Sequence, residues 1–126
     1  PTTIELIRGE SRAINDDQLR DYYSSARTVL CLGYNEPFGL IPLEAMACGA
    51  VPVVLSEGGY LESVKDGITG VLVKKNPKDL ALTLEKLLGN TEKLERMSVS
   101  AIQDVRENWQ WSAGAQQIIQ TYKTLH

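Results

Sequence analysis

Apolar positions fall in two rhythms that alternate along the chain. Thr28–Leu32 and Val51–Leu55 are short, continuously apolar runs with β-branched residues, the first closed by Gly33. Runs of that length without polar alternation read as strands covered on both faces. Thr3–Arg8, closed by Gly9, and Thr69–Val73, entered through an Asp66-Gly67 turn, read as two further strands. Residues 10–15 form a polar loop between the first strand and the first helix. Between the strands the period changes. Leu19, Tyr22 and Tyr23 share one face of a helix running to Ala26, which Asp16 or Asp17 is placed to cap. Leu40–Cys48 is helical and stops at Gly49. Glu57-Gly58-Gly59 makes a tight loop ahead of a short helix near Tyr60–Lys65. Beyond Pro77 the spacing is helical throughout. Leu80, Leu84, Leu87 and Leu88 form one stripe, and Leu94, Met97, Ala101 and Val105 form another. Trp109 and Trp111 flank a junction, where they read as packing residues, before a last helix through Ile118, Ile119, Tyr122 and Leu125.

This alternation predicts an α/β fold with a Rossmann-like parallel sheet of about four strands and flanking helices. Residues 1–126 are expected to form one domain or part of one, since the length suits a single core and no repeat or linker interrupts it. Composition agrees, with 43% apolar and 23% charged residues. A net charge of −3 gives no broad attraction to nucleic acid or anionic lipid. Cys31 and Cys48 are expected to be two buried free thiols in a reducing compartment, with one bridge between them as the alternative. No apolar run approaches the ~20 residues of a membrane span, and no signal peptide is visible. The chain starts at Pro1 rather than methionine, so it is read as a piece of something longer.

The chemistry concentrates in Asn35–Val54, NEPFGLIPLEAMACGAVPVV. In open α/β sheets ligands gather at the carboxyl ends of strands, which is where Tyr34–Gly39 falls. With Gly39 as N-cap, Pro42 is the third helical residue, where its missing N–H breaks no internal bond. Gly39 has no side chain with which to cap. The N–H groups of Gly39, Leu40 and Ile41 are then expected to stay free, at the positive end of the helix dipole, for a phosphate. Glu36 and Glu44 flank this start, and a carboxylate can accept hydrogen bonds from neighbouring hydroxyls. Together these features suit a ligand carrying both phosphate and a diol. The plain alternative is a tight strand-to-helix turn with two solvated glutamates. Glycoside hydrolysis by the two glutamates gains no support, because an anion-binding helix start does not serve it. A dinucleotide oxidoreductase lacks its Gly-x-Gly-x-x-Gly after any strand.

The run resembles the signature of GT-B glycosyltransferases, in particular the retaining group called glycosyltransferase family 4, within the glycosyl transferases group 1. Its hallmark of two glutamates separated by seven residues stands here as Glu36-PFGLIPL-Glu44. The likeness continues through Ala45-Met46-Ala47, Gly49, Pro52-Val53-Val54, Gly58-Gly59, Glu62, Asp66-Gly67 and Gly70. It extends more loosely to Gly9, Leu19 and Tyr23 before that run and to Trp111 and Tyr122 after it.

The resemblance implies the C-terminal, donor-binding domain of such an enzyme. Glu36 would then lie at the reacting centre against the donor-sugar hydroxyls, and Glu44 would bind the ribose. The amides of Phe38, Gly39, Leu40 and Ile41 would meet sugar hydroxyls and diphosphate, with Gly58 and Gly59 lining the donor pocket. The implied donor is a UDP-, GDP- or ADP-sugar, with no cofactor and no metal. The implied reaction is hexosyl transfer with retained configuration to a glycan, lipid or small-molecule acceptor, as in polysaccharide biosynthesis. The implied partner is an N-terminal acceptor domain. The implied location is the cytoplasm or the cytoplasmic face of a membrane. The family's cationic Arg and Lys, and its acceptor domain, are not found within these residues. These 126 residues alone are therefore expected to be inactive, and a non-catalytic nucleotide-sugar-binding module remains the alternative.

Overall fold

The computed structural model describes residues 14–125. Elements follow in the order α1 (Asp16–Ser25), β1 (Thr28–Cys31), α2 (Leu40–Ala47), β2 (Val51–Leu55), α3 (Tyr60–Ser63), β3 (Val71–Val73), α4 (Pro77–Leu88), α5 (Thr91–Asn108) and α6 (Trp111–Leu125). The three strands are parallel, in the order β1-β2-β3. Thr28 pairs with Val51, and Val53 with Val71. The strand expected at Thr3–Arg8 lies outside the described residues, which hold three of the about four strands expected.

Every residue of the central strand β2 is buried, as its unbroken apolar run requires. Met46 of α2, Val64, Val73, and Leu94, Met97, Ala101 and Val105 of α5 complete the main core around it. The two sequence stripes are thus core faces, although in α4 only Leu87 is fully buried. A smaller cluster of Tyr23, Ala45 and Ala50 joins α1 to α2. The last helix differs from the others: Ile118, Ile119, Tyr122 and Leu125 are all more than half exposed.

Local chemistry shifts some boundaries. Asn15, rather than Asp16 or Asp17, caps α1, in a reciprocal capping box with Gln18. The two aspartates fill the first turn, where the helix dipole favours acid. The helix expected to reach Lys65 ends at Ser63. β3 starts two residues later than expected, because Thr69 and Gly70 serve a turn. The Thr69 hydroxyl accepts from the Lys65 amide at 2.9 Å, and Gly70 bridges to Asp66. Both cysteines are free, but only Cys31 is buried; Cys48 is half-buried. Burial, with a contribution from the Glu36 charge, pushes the Cys31 thiol up to about 12, which makes it unreactive.

One buried carboxylate ties the chain after α3 to α5. Asp104, 6% exposed, accepts from Lys65 Nζ, from Asn108 Nδ2 at 2.8 Å and from Trp109 Nε1 at 3.3 Å. Burial alone would raise its carboxyl, but these donors outweigh burial and hold it below the usual value. A carboxyl lowered in the folded state contributes stability above its unfolded value of about 3.9, and that contribution is lost as pH falls. Thermal melts between about pH 7 and 3 are expected to show a loss of stability setting in below about pH 5. Asp104→Asn should be less stable at neutral pH, with a flatter acid limb.

Gly70 gives a second test. A Cβ there would stand 2.6 Å from the Pro52 carbonyl oxygen and 2.8 Å from Val64 Cγ1. At Gly114, inside α6, nothing lies within 4 Å. Gly70→Ala should lower stability by about 1–3 kcal/mol, while Gly114→Ala should raise it by roughly 0.5–1 kcal/mol. Denaturant unfolding of both variants checks the pair.

Candidate functional site

The carboxyl ends of the three strands put the segments after Cys31, Leu55 and Val73 on one edge of the sheet. The first of these is the key one. Gly39 is the N-cap of α2, with φ 85° and ψ 52°, and it makes no side-chain cap. This left-handed geometry favours glycine. Space adds to this preference, since a Cβ would lie 3.0 Å from Ser63 Oγ and that hydroxyl would have to give way.

Gly58 and Gly59 form the bed on which the loop rests. The Gly59 amide donates to the Glu36 carbonyl at 2.8 Å. A Cβ on Gly58 would sit 2.5 Å from that carbonyl oxygen, and one on Gly59 would sit 2.6 Å from the Phe38 carbonyl carbon. Both glycines therefore act through close backbone approach.

One expectation is corrected at the helix start. The Gly39 amide is not free: Glu36 Oε1 accepts from it at 2.9 Å, and from the Phe38 amide at 3.3 Å. The side chain three residues upstream supplies the cap that Gly39 cannot, because a carboxylate near a helix N-terminus gains both hydrogen bonds and the dipole. The amides of Leu40 and Ile41 have no protein acceptor among the described residues. The second oxygen of Glu36, Oε2, accepts no hydrogen bond among the described residues.

Glu44 lies one turn further along α2 and is exposed. Its Oε2 accepts from the Tyr23 hydroxyl at 3.0 Å. Burial of the phenol, reinforced by the hydrogen bond to Glu44 and its charge, drives the Tyr23 hydroxyl well above its ordinary value, so it stays a donor. Sequence placed Tyr23 only on an inner helix face; its role as the partner of Glu44 depends on how α1 crosses α2.

The far side of the edge is tied by charge. Lys75 Nζ lies 2.7 Å from Glu57 Oε2 and 4.5 Å from the centre of the Tyr34 ring. The Asn35 amide donates to Glu57 Oε1 at 3.3 Å. The Lys75 bond holds the Glu57 carboxyl below its usual range. Sequence placed Glu57 in a tight loop and Tyr34 and Asn35 at the strand end but did not foresee Lys75, the partner of Glu57 and Tyr34, whose only signal was position after a strand end. Phe38, Leu40 and Ile41 are 52%, 59% and 51% exposed, so the helix start opens onto an apolar surface rather than a closed cavity. No group of three His, Cys, Asp or Glu side chains suited to a metal occurs among the described residues. No helix among them is long and apolar enough to cross a membrane.

A family model described as glycosyl transferases group 1 matches residues 11–104. The chain belongs to the glycosyl transferases group 1 family. It is 36% identical over 111 residues to an uncharacterized glycosyltransferase of Methanocaldococcus jannaschii, covering 87% of this chain and 28% of that protein. Among solved structures, a sucrose-phosphate synthase from Thermosynechococcus elongatus matches with TM-score 0.75 and 32% identity, over 89% of this chain and 28% of the other. Anabaena HepE in complex with UDP-glucose matches with TM-score 0.72 and 26% identity, over 82% and 29%. The parallel sheet with flanking helices is that of GT-B glycosyltransferase C-terminal domains. The chain spans less than a third of the length of these relatives. In this group 1 glycosyltransferase chain, the fold brings Glu36, Phe38, Gly39, Leu40, Ile41 and Glu44 to one helix start and sets Gly58 and Gly59 beneath it.

The Glu36 cap is testable without any ligand. Glu36→Ala leaves two amides without their acceptor and should cost about 0.5–2 kcal/mol. Glu36→Gln, which keeps one amide-accepting oxygen, should cost less. Thermal unfolding of the two variants measures the difference, and equal stabilities would contradict the cap.

Proposed function

We propose that this chain is the donor-binding part of a retaining glycosyltransferase of family 4. It moves a hexosyl unit from a nucleotide-diphosphate sugar to a glycan, lipid or small-molecule acceptor. One observation carries the reading: a helix start in left-handed geometry, without a side-chain cap of its own, stands between two carboxylates that each keep an oxygen uncommitted. Relatedness to a protein solved with UDP-glucose supports a nucleotide-sugar donor.

The amides of Leu40 and Ile41, at the positive end of α2, receive the diphosphate. Glu36 Oε2 accepts from a hydroxyl of the donor sugar. Glu44 Oε1 accepts from a ribose hydroxyl, while Tyr23 holds the other oxygen and so fixes the carboxylate plane. Where the diphosphate also needs the Phe38 and Gly39 amides, it takes the place of Glu36 Oε1, which turns toward the sugar. In the transfer, the bond between the anomeric carbon and the diphosphate oxygen breaks and its electron pair leaves with the diphosphate. An acceptor oxygen forms the new bond on the same face and passes its proton to the departing diphosphate oxygen. Charge builds on the leaving diphosphate, and prearranged N–H groups stabilise such charge more in the transition state than before it. Acceptor binding and cations for the diphosphate come from the remainder of a longer, cytoplasmic enzyme. Lys75 is already committed to Glu57 and Tyr34 and does not supply that charge.

Calorimetric titration with UDP and with UDP-glucose tests the division of labour. Glu44→Gln is expected to weaken both ligands by about tenfold, the scale of one charge-assisted hydrogen bond, with little change in melting temperature. Glu36→Gln should leave UDP affinity intact or raise it, since the competing charge is gone, and weaken UDP-glucose alone. Equal weakening of both ligands by both variants, or by neither, overturns the assignment.

A further inference from the structure

Phe38 sits in the loop that carries Glu36 into Gly39, and about half of its surface is exposed. Its ring nevertheless has a fixed partner. It meets the Trp109 ring edge to face, with centroids 6.1 Å apart and planes at 89°. Trp109 is the C-cap residue of α5, far along the chain, and is itself only half-buried. The indole is oriented in turn by Asp104, whose Oδ2 accepts from its Nε1 at 3.3 Å. Asp104 is held on its other oxygen by Lys65 and Asn108. A contact path therefore runs from the buried carboxylate through the indole to the loop whose amides and glutamate make up the helix start.

We propose that Trp109, oriented by Asp104, is a positioning residue for the donor loop. The loop is held from below by the Gly59 amide, but Gly58 and Gly59 present no side chains that grip it sideways. Tyr34 and Asn35 tie the start of the loop to Lys75 and Glu57, while Phe38 reaches out of its far end to α5, where the edge-to-face ring pair restrains the orientation of the Phe38–Gly39 peptide. Plain packing accounts for this arrangement less well. Trp109 packs in part against the main core, but it also meets an exposed ring and aims its N–H at a buried acid, which packing alone does not require. The consequence for ligand binding rests on the donor-binding reading; the consequence for the loop does not.

Backbone hydrogen exchange of the intact protein, read by mass spectrometry over residues 34–41, tests it directly. Trp109→Ala should speed exchange there by roughly two- to tenfold, the scale on which an edge-to-face ring pair acts, and leave β2 unchanged. Trp109→Phe keeps a ring edge and should restore most of the protection. Phe38→Ala removes the exposed partner without opening the core, so it serves if the tryptophan variant folds poorly. It should loosen the same residues, and the double variant should be no looser than either single one. UDP-glucose affinity should fall severalfold in Trp109→Ala and stay near wild type in Trp109→Phe. Unchanged exchange at 34–41, equal acceleration in β2, or additive effects in the double variant overturn the proposal. If the wild-type protein binds neither UDP nor UDP-glucose, the donor reading fails, and the exchange result alone decides the positioning.

Discussion

The left-handed turn at Gly39 is the constraint from which the site follows. It swings the chain out of β1 and into α2 with a positive φ and in a space where a Cβ would crowd Ser63. Because this geometry favours glycine, the helix begins without a side chain at its N-cap, and its first amides need another acceptor. Glu36 meets part of that need, and Glu44 follows one turn later on the same helix. The bed of Gly58 and Gly59 lets the loop lie close enough for both to happen.

The site's partners are drawn from elements far apart in the chain. Tyr23 comes from α1, the glycine bed from the segment after β2, Lys75 from the segment after β3, and Trp109 from the end of α5. Parallel topology makes this convergence natural, since every strand delivers its following segment to the same edge. The price is openness, for the helix start is ringed by exposed Phe38, Leu40 and Ile41 rather than enclosed. Such a surface is one wall of a site, which agrees with a chain that spans less than a third of its relatives.

Much of the fold was legible because local signals agreed with one another. Val51–Leu55 could be read as a covered strand from its unbroken apolar run, and Gly39 as an uncapped N-cap from the position of Pro42. Boundaries slipped where several residues could do the same job. Asn15, Asp16 and Asp17 are all competent caps, and the choice fell to the one whose partner Gln18 closes a reciprocal box. Thr69 and Gly70 look like strand but are used in a turn. The glutamates themselves were legible, but their partners were not. The bond from Tyr23 to Glu44 depends on a helix crossing, and the capping by Glu36 on a rotamer; neither leaves a mark in sequence spacing.

A helix start already occupied by its own carboxylate has a selectivity that an open one lacks. Glu36 is tethered three residues from the amides it caps, so it competes at a high effective concentration with any anion in solution. Free phosphate or sulfate must displace it and offers nothing in return, leaving a carboxylate stranded beside a second negative charge. A ligand that brings hydroxyls along with its phosphates gives the displaced oxygen a new partner. On the proposed donor-binding reading, cellular phosphate would be excluded by competition rather than by shape, and the site would answer to molecules that satisfy both halves of the exchange at once.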